Sequence, residues 1–281
     1  GAWATVDRQA GIWAPGGMAS DGNGVFAVTG NSGAMGDHTM SDSEEIIRVT
    51  GLGVGNRDAK DMFFPTEWQD PMNAHDLDFG SSSPAVITVP NSTPSSVIVA
   101  PSKNGRVYFL DAGNLGASLG QFADMAIADV TGASVYTAPS AYTSTSGVHV
   151  ALITGAGSQC PSPVGTNDGS VMSFLMQPGT TPDKAPTPKI AWCAKVGTDG
   201  TTIRRSPIST NSAGTADPIV WMMNGSKLNG FDGETGAVIF DGGMGTCAGV
   251  HTFTSLIVAN GHIVIGGDAA GQAHLCSWSI H

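Results

Sequence analysis

Short apolar runs separated by turn-forming residues dominate the chain. Four of these runs follow a tight-turn dipeptide, and each dipeptide is itself preceded by a second run of β-type residues. The four dipeptides are Asn104-Gly105, Asp168-Gly169, Asn224-Gly225 and Ala270-Gly271. Two apolar runs joined by such a dipeptide predict a β-hairpin. No window shows a sustained apolar period of 3.6 residues, so we expect helix to be nearly absent.

The hairpin pattern returns along the chain. The turn glycines are separated by 64, 56 and 46 residues. A hairpin unit that recurs at such intervals is typical of a β-propeller, whose blades are small antiparallel sheets. We therefore predict an all-β protein, a single propeller domain over residues 1–281 with four-stranded blades. The spacing indicates about five blade units, at roughly 6–50, 51–118, 119–180, 181–243 and 244–281.

The start of the chain bears on the size of the ring. Gly1-Ala-Trp-Ala-Thr5 looks like the outer strand of a blade whose inner strands are missing. The blade count fits either a complete ring of five or six blades or the C-terminal part of a seven- or eight-bladed ring. The abrupt start favours the second interpretation.

Composition supports many turns and argues against a nucleic-acid partner, and the length of the apolar runs argues against a membrane span. The chain has 39 Gly and 16 Pro among 281 residues, and only 12% of its residues are charged. Its net charge is −11, with 12 basic against 23 acidic residues, which argues against a nucleic-acid partner because phosphate binding needs a basic surface. No apolar run approaches the ~20 residues that cross a bilayer, so we expect no membrane span.

The four cysteines are Cys160, Cys193, Cys247 and Cys276. None has a C-x-x-C spacing, which argues against a zinc site and leaves either disulfides or buried free thiols. Proximity along the chain favours the pairs Cys160–Cys193 and Cys247–Cys276 among the three possible connectivities. Disulfides would indicate a periplasmic or extracellular protein.

Four motifs carry a resemblance to a known family. Residues 231–240 (FDGETGAVIF) resemble the A-x-D-x-x-T-G-x-x-x-W repeat of the quinoprotein dehydrogenases, with Phe in place of the final Trp. Upstream, residues 11–31 are similar to a family stretch that ends in T-G-N, residues 75–84 to W-D-Y-D…P, and residues 102–105 to D-R/K-N-G. The chain thus resembles eight-bladed propellers that use pyrroloquinoline quinone (PQQ), nearest to secreted bacterial polyvinyl-alcohol-dehydrogenase-like and PQQ-repeat proteins.

The resemblance implies PQQ and calcium as cofactors and assigns five residues. Trp13 would be the aromatic floor on which the quinone stacks, and Lys103 would hydrogen-bond the quinone oxygens. Asn31 would ligate Ca²⁺ through its amide oxygen, with Asp76 and Asp78 as carboxylate ligands. Asp76 would also be the general base that removes the alcohol proton.

Each assignment has a structural alternative. Trp13 suits packing between blades, Asn31 is a common turn residue, Asp76 and Asp78 suit a strand start, and Lys103 suits a solvent-facing hairpin shoulder. The family also draws another Ca²⁺ carboxylate from blades that precede this region. Two functions therefore stay open. One is oxidation of a small alcohol or polymer with an electron-accepting cytochrome, and the other is a non-catalytic propeller that binds protein or polymer.

Two further segments have weaker signals. The acidic residues Asp42, Glu44 and Glu45, with the neighbouring pair Asp37 and His38, could suggest a metal, but we favour a solvated loop. The long stretch over residues 51–76, which contains Phe63-Phe64-Pro65-Thr66-Glu67-Trp68, is a candidate surface for a protein partner. The alternative is that this stretch folds down and plugs one face.

Overall fold

The structure is a computed structural model that divides into two compact units. The first unit comprises residues 1–130, 134–138 and 176–188, and the second comprises 131–133, 139–175 and 189–281. The structure describes residues 3–32, 42–51, 54–55, 58–116, 127–129, 134–154, 160, 171–179, 185–196, 205–243 and 245–280.

The first unit begins with a sheet that is four strands wide. Its strands are β1 (Ala19–Ser20), β2 (Val25–Val28), β3 (Ile46–Thr50), β4 (Val54–Gly55) and β5 (Met62–Phe63). The order is β1-β2-β3, and both β4 and β5 pair with β3. β4 pairs at Val49 and Thr50 and β5 pairs at Ile46 and Ile47, so the two short strands follow each other along one edge of β3.

The second sheet of this unit is a four-stranded antiparallel meander. Its strands, in order, are β6 (Ala85–Thr88), β7 (Ser96–Pro101), β8 (Arg106–Asp111) and β9 (Ile127–Asp129). The two central strands, β7 and β8, are buried along almost their whole length, which explains why they read as continuous apolar runs. Short helical segments occupy the connections, at Ala59–Asp61, Trp68–Met72, Asn73–His75 and Phe79–Ser81.

The core of the first unit holds residues 63–67, within the stretch 51–76, in place. The ring of Phe63 packs 6.4 Å from that of Phe79 and 5.6 Å from that of Tyr108, between centroids. Glu67 accepts hydrogen bonds from the Arg106 guanidinium and from the Tyr108 hydroxyl, the latter at 2.9 Å. Residues 63–67 are therefore anchored on β8. A protein partner at this stretch remains a prediction.

Three antiparallel sheets follow, and their residues lie in the second unit except for Met176, Gln177, Thr187 and Pro188. The first has β10 (Ser140–Thr143), β11 (Val148–Ile153), β12 (Val171–Gln177) and β13 (Thr187–Ala194), in that order. The next has β14 (Ile208–Thr210), β15 (Ile219–Asn224), β16 (Lys227–Asp232) and β17 (Val238–Phe240), again in order. The last has β18 (Ile257–Ala259), β19 (His262–Ala269) and β20 (Gln272–Ser279). It shows three strands among the residues that the structure describes.

Two hydrophobic clusters and two disulfides stabilise the second unit. Trp192, Val220 and Phe231 belong to one cluster, and Met223 and Ile263 to the other. The disulfides join Cys160 to Cys193 and Cys247 to Cys276, and both predicted pairs are therefore confirmed. They are compatible with an oxidising compartment.

The all-β prediction is confirmed. The turns at Asn104-Gly105, Asn224-Gly225 and Ala270-Gly271 each join two neighbouring strands of one sheet, as predicted, whereas Asp168-Gly169 lies outside the described residues. In the part of the chain that the structure describes, no helix has the length and apolarity needed to cross a membrane. The single-domain assignment and its blade boundaries remain predictions.

Candidate functional site

Three loops of the first unit meet around the residues that the sequence singles out. They are residues 29–32 after β2, residues 73–82 before β6, and the 102–105 turn between β7 and β8. The Ser32 N–H donates to Asn73 Oδ1 at 2.7 Å, and the Lys103 N–H donates to the Asp78 carbonyl at 3.3 Å. These bonds join the three loops directly, so residues far apart in sequence share one site.

A close backbone approach fixes two of the loops against each other. A Cβ atom on Gly80 would lie 2.6 Å from the Gly30 nitrogen and 2.6 Å from the Thr29 carbonyl carbon. Backbone atoms cannot move aside as a flexible side chain can. Glycine is therefore required at position 80 for the loops that carry Asn31 and Asp78 to pack together.

We expect Gly80→Ala to lower the free energy of unfolding by about 1–3 kcal/mol because the new methyl group overlaps this backbone. Gly266→Ala is the matched control, since a Cβ there meets nothing within 4 Å, and its effect should stay within about 0.5 kcal/mol. Denaturant unfolding measures both. Equal stabilities of the two variants would contradict the close approach.

Four of the five predicted site residues are in direct contact. Lys103 Nζ lies 2.9 Å from Asp76 Oδ2 and 3.0 Å from Asp78 Oδ2. The Asn31 side-chain amide donates to Asp76 Oδ1 at 3.1 Å, and the Asn31 backbone N–H donates to Asp78 Oδ1 at 3.1 Å. The loops thus bring one cation, two carboxylates and one amide into a single hydrogen-bonded cluster.

Burial divides this cluster into an exposed and a buried half. The side chain of Asp76 is 76% exposed, whereas those of Asp78 and Lys103 are 4% and 14% exposed. The hydrogen bond from Lys103 lowers the pKa of Asp76 below its usual range. Burial alone would lower the pKa of Lys103, but its bonds to Asp76 and Asp78 outweigh burial and raise it. Asp76 is therefore an ionised carboxylate that solvent can reach.

Glu44 is a buried carboxyl group beside the same loops. Its Oε2 accepts the Phe79 N–H, and its own N–H donates to the Gly30 carbonyl at 3.2 Å. Burial, together with the nearby charges of Asp78 and Asp76, raises the pKa of Glu44 to about 8.

The prediction of a solvated loop is wrong for Asp42, Glu44 and Glu45, which are all at most 2% exposed. Burial of the neighbouring strand β3 and of residues 78–83 draws this acidic run inward. Asp37 and His38 lie outside the described residues.

Two oxygen atoms at this site have no hydrogen-bond donor. They are Asn31 Oδ1 and Glu44 Oε1, and both are buried. A buried oxygen without a donor is costly, and a hard cation is one partner that removes this cost. Amide and carboxylate oxygens are the ligands that Ca²⁺ takes, so the donor set fits such an ion.

Trp13 lies on a segment that is hydrogen-bonded to Gly30 and to Ser83. The Gly11 carbonyl accepts the Gly30 N–H at 3.0 Å, and the Gly16 N–H donates to Ser83 Oγ at 2.9 Å. The Trp13 side chain itself is 56% exposed, so it is not a residue of the buried core. Its indole is therefore available at the surface.

The second unit holds a separate polar cluster that sequence reasoning did not single out. His149 is buried, its ring stacks on Tyr142, and its Nε2 lies 2.9 Å from Ser146 Oγ. Ser146 Oγ donates to Glu234 Oε2 at 2.7 Å, and these serine and threonine hydrogen bonds outweigh desolvation and hold the pKa of Glu234 at about 2. The Glu234 carboxylate also accepts hydrogen bonds from the Thr145 hydroxyl and the Ser146 N–H. The cluster therefore joins the β10–β11 turn to the segment after β16.

Solved structures of low sequence identity share the fold. No family profile matches the chain, and neither does any curated protein sequence. A quinohemoprotein alcohol dehydrogenase from Pseudomonas putida HK5 aligns with a TM-score of 0.53 and 12% identity, over 89% of this chain and 44% of that one. The Dos1 propeller aligns with a TM-score of 0.54 and 10% identity, over 99% and 60%. The fold is a β-propeller.

A second quinohemoprotein alcohol dehydrogenase, from Comamonas testosteroni, aligns with a TM-score of 0.50 and 11% identity, over 87% of this chain and 42% of that one. The chain thus spans less than two thirds of the length of each of these three propellers. The TM-scores of 0.50–0.54 support the propeller fold of about five blades, and identities of 10–12% leave family membership and activity to be argued from the site.

Proposed function

We propose that the first unit carries a PQQ- and calcium-dependent alcohol-oxidising site. The observation that supports this most is the contact of Asn31, Asp76 and Lys103, which come from three separate loops in the order that the family motifs have. PQQ, when bound, supplies the electron acceptor for the alcohol, and Ca²⁺ supplies a Lewis acid.

The cation ligands in this proposal are Asn31 Oδ1, Glu44 Oε1 and a carboxylate oxygen of Asp76. The first two are buried and lack a donor, and Asp76 is ionised. Three protein oxygens fall short of the 6–8 that Ca²⁺ takes, so water and cofactor oxygens would complete the shell. The resembled family draws a further Ca²⁺ carboxylate from blades that precede this region. In this proposal Glu44 supplies that carboxylate.

Asp78 has a positioning role in this proposal rather than a ligand role. The carboxylate oxygens of Asp76 and Asp78 both have partners in Asn31 and Lys103. The Asp78 side chain is only 4% exposed whereas that of Asp76 is 76% exposed, so Asp76 is the one that can turn toward an ion. Asp78 holds the amide and the ammonium in their relative positions. Lys103 presents a buried positive charge to bound anionic oxygens, and the exposed Trp13 indole offers a flat apolar face to a planar ligand.

Asp76 is the general base in this proposal. Its carboxylate is exposed to incoming substrate and is kept ionised by Lys103, so it can accept the alcohol proton. Its backbone is left-handed, with φ of 57°, which turns this residue out of the short helical segment that ends at His75. The side chain therefore projects from a corner of the loop.

We expect Asp76→Asn to lower dye-linked alcohol oxidation about 10²–10⁴-fold in protein loaded with PQQ and Ca²⁺. The absorbance of bound quinone should persist, because the base acts in proton transfer more than in holding the ring. Asp217→Asn is the matched control, since Asp217 is also an exposed aspartate with a left-handed backbone, φ of 46°. Equal losses in both variants, or no bound quinone in the unmodified protein, would contradict the proposal.

Location and electron acceptor are part of the same proposal. The two disulfides favour a periplasmic or extracellular site of action. A small alcohol or a hydroxyl-bearing polymer would be the substrate, and a cytochrome would take the electrons.

A non-catalytic propeller that binds protein or polymer is the second candidate. Exposed apolar side chains favour this binding function, and four of them lie within the first 18 residues. They are Val6, Ile12, Trp13 and Met18, at 41–71% exposure. Polymer-induced quenching of tryptophan fluorescence without PQQ or Ca²⁺, together with no dye-linked oxidation in their presence, would favour this candidate over the enzyme.

A further inference from the structure

One histidine of the second unit lies against the disulfide of the last sheet. His274 and Cys276 are two residues apart in β20, so both side chains project from one face of that strand. His274 Nε2 lies 3.9 Å from Cys247 Sγ. The imidazole nitrogen and the two sulfur atoms all lie within 4.8 Å of one another, and this is the one such group among the described residues.

The imidazole is oriented with a lone pair toward the sulfur. His274 Nδ1 lies 3.2 Å from the Gln272 carbonyl oxygen, so the neutral ring donates its N–H there. Nε2 then has no hydrogen and faces Cys247 Sγ. A backbone carbonyl that fixes the far ring nitrogen is the usual support of a metal-binding histidine.

A glycine lets the imidazole and the Cys247 sulfur approach the backbone of β19 closely. A Cβ atom on Gly267, which pairs with His274 across the β19–β20 ladder, would lie 3.0 Å from His274 Nε2 and 3.2 Å from Cys247 Sγ. An open cavity of about 740 Å³ adjoins this point, and its lining includes His251, Asp268 and His274. The cavity gives an ion access from solvent and offers further nitrogen and oxygen ligands.

We propose that reduction of Cys247–Cys276 by a thiol converts this group into a zinc site. Two thiols reduce the disulfide and leave as their own disulfide, and both protein sulfurs become Cys–SH. Zn²⁺ then binds the two sulfurs and His274 Nε2, and two protons are released to water. Water, His251 or Asp268 takes the fourth position.

The distances suit tetrahedral zinc. Zn–S and Zn–N bonds of about 2.3 and 2.0–2.1 Å place neighbouring ligand atoms about 3.5–3.8 Å apart. The nitrogen-to-sulfur separation of 3.9 Å is close to this value before any ion binds. The two sulfurs must move apart after reduction. The Cys276 side chain is partly exposed, so its rotation can provide this separation. Disulfide and metal are therefore alternative states of one site.

The test uses Cys160→Ser/Cys193→Ser protein, so that reduction produces thiols only at the site. We expect the reduced protein to bind one Zn²⁺ per chain and to show a thiolate-to-metal absorption band with Co²⁺, and the oxidised protein to do neither. His274→Ala should weaken zinc binding at least about tenfold. His262→Ala should not, although His262 Nδ1 also lies near a carbonyl, at 2.9 Å from Asn260 O, because its Nε2 faces Ser279.

Three outcomes would overturn the proposal. They are equal zinc affinity in the two histidine variants, equal binding by the oxidised and reduced proteins, and no binding in the reduced state. Thermal unfolding provides a check that needs no histidine variant. Zinc should raise the unfolding midpoint of the reduced protein and leave that of the oxidised protein unchanged, and an unchanged reduced midpoint also counts against the site.

Discussion

Glu44→Gln will become progressively more stable relative to its parent as the pH rises from 5 to above 8. The folded pKa of Glu44 is raised from 4.5 to about 8, so the folded state holds this proton more tightly than the unfolded chain does. Its contribution to stability is complete below about pH 4.5 and is lost as the pH rises toward 8. The full loss is up to about 5 kcal/mol, and a neutral glutamine avoids it.

Denaturant unfolding at a series of pH values measures this effect, and Glu234→Gln is the control. The pKa of Glu234 is lowered to about 2, so its contribution does not change between pH 5 and 8.5. Ca²⁺ should reverse the alkaline loss in the parent and not in Glu44→Gln, because the ion takes the place of the proton. Parallel pH profiles for the parent and Glu44→Gln would show that Glu44 does not hold its proton when folded.

Removal of the Cys247–Cys276 disulfide should have the second large effect, a lower free energy of unfolding. The two cysteines are 29 residues apart, and a loop of that length stabilises by about 3–4 kcal/mol in the chain-entropy model. The bridge ties the segment before β18 to the last strand, β20. We expect Cys247→Ser/Cys276→Ser to lower the free energy of unfolding by that amount under oxidising conditions, as measured by guanidinium unfolding.

The control for this prediction is Ser277→Ala, which changes an exposed neighbour in the same strand and should alter stability by less than about 0.5 kcal/mol. Thiol counting of the denatured parent should find no reactive group. A double variant as stable as the control would mean that the bridge adds little to the folded state, and reactive thiols in the parent would mean that it does not form.

The fold was accessible from sequence because its signals are local. Turn dipeptides such as Asn104-Gly105 and Asn224-Gly225 fix hairpins within a few residues, and the buried runs of β7, β11 and β15 are apolar almost throughout. Both disulfides also join consecutive cysteines of the chain, 33 and 29 residues apart. The pairing of both β4 and β5 with β3 was not accessible, since strands of two residues carry no periodicity.

The candidate site was only partly accessible. Motif order brought attention to Asn31, Asp76 and Lys103, and their contact requires three loops to meet. Glu44 was interpreted as part of a solvated run, because an acidic residue in a loop is exposed unless tertiary packing covers it. Its hydrogen bond from Phe79 and the neighbouring charges of Asp76 and Asp78 come from residues more than 30 positions away.

The sequence by itself determined the hairpins and the all-β class, because each depends on residues close along the chain, and it favoured the cysteine pairs because they join consecutive cysteines. The tertiary structure alone decided which carboxylates are buried and which polar atoms lack a donor. It also decided that His274 stands beside Cys247, 27 residues away. Those properties depend on how distant loops and strands exclude water from one another, and no local pattern records that.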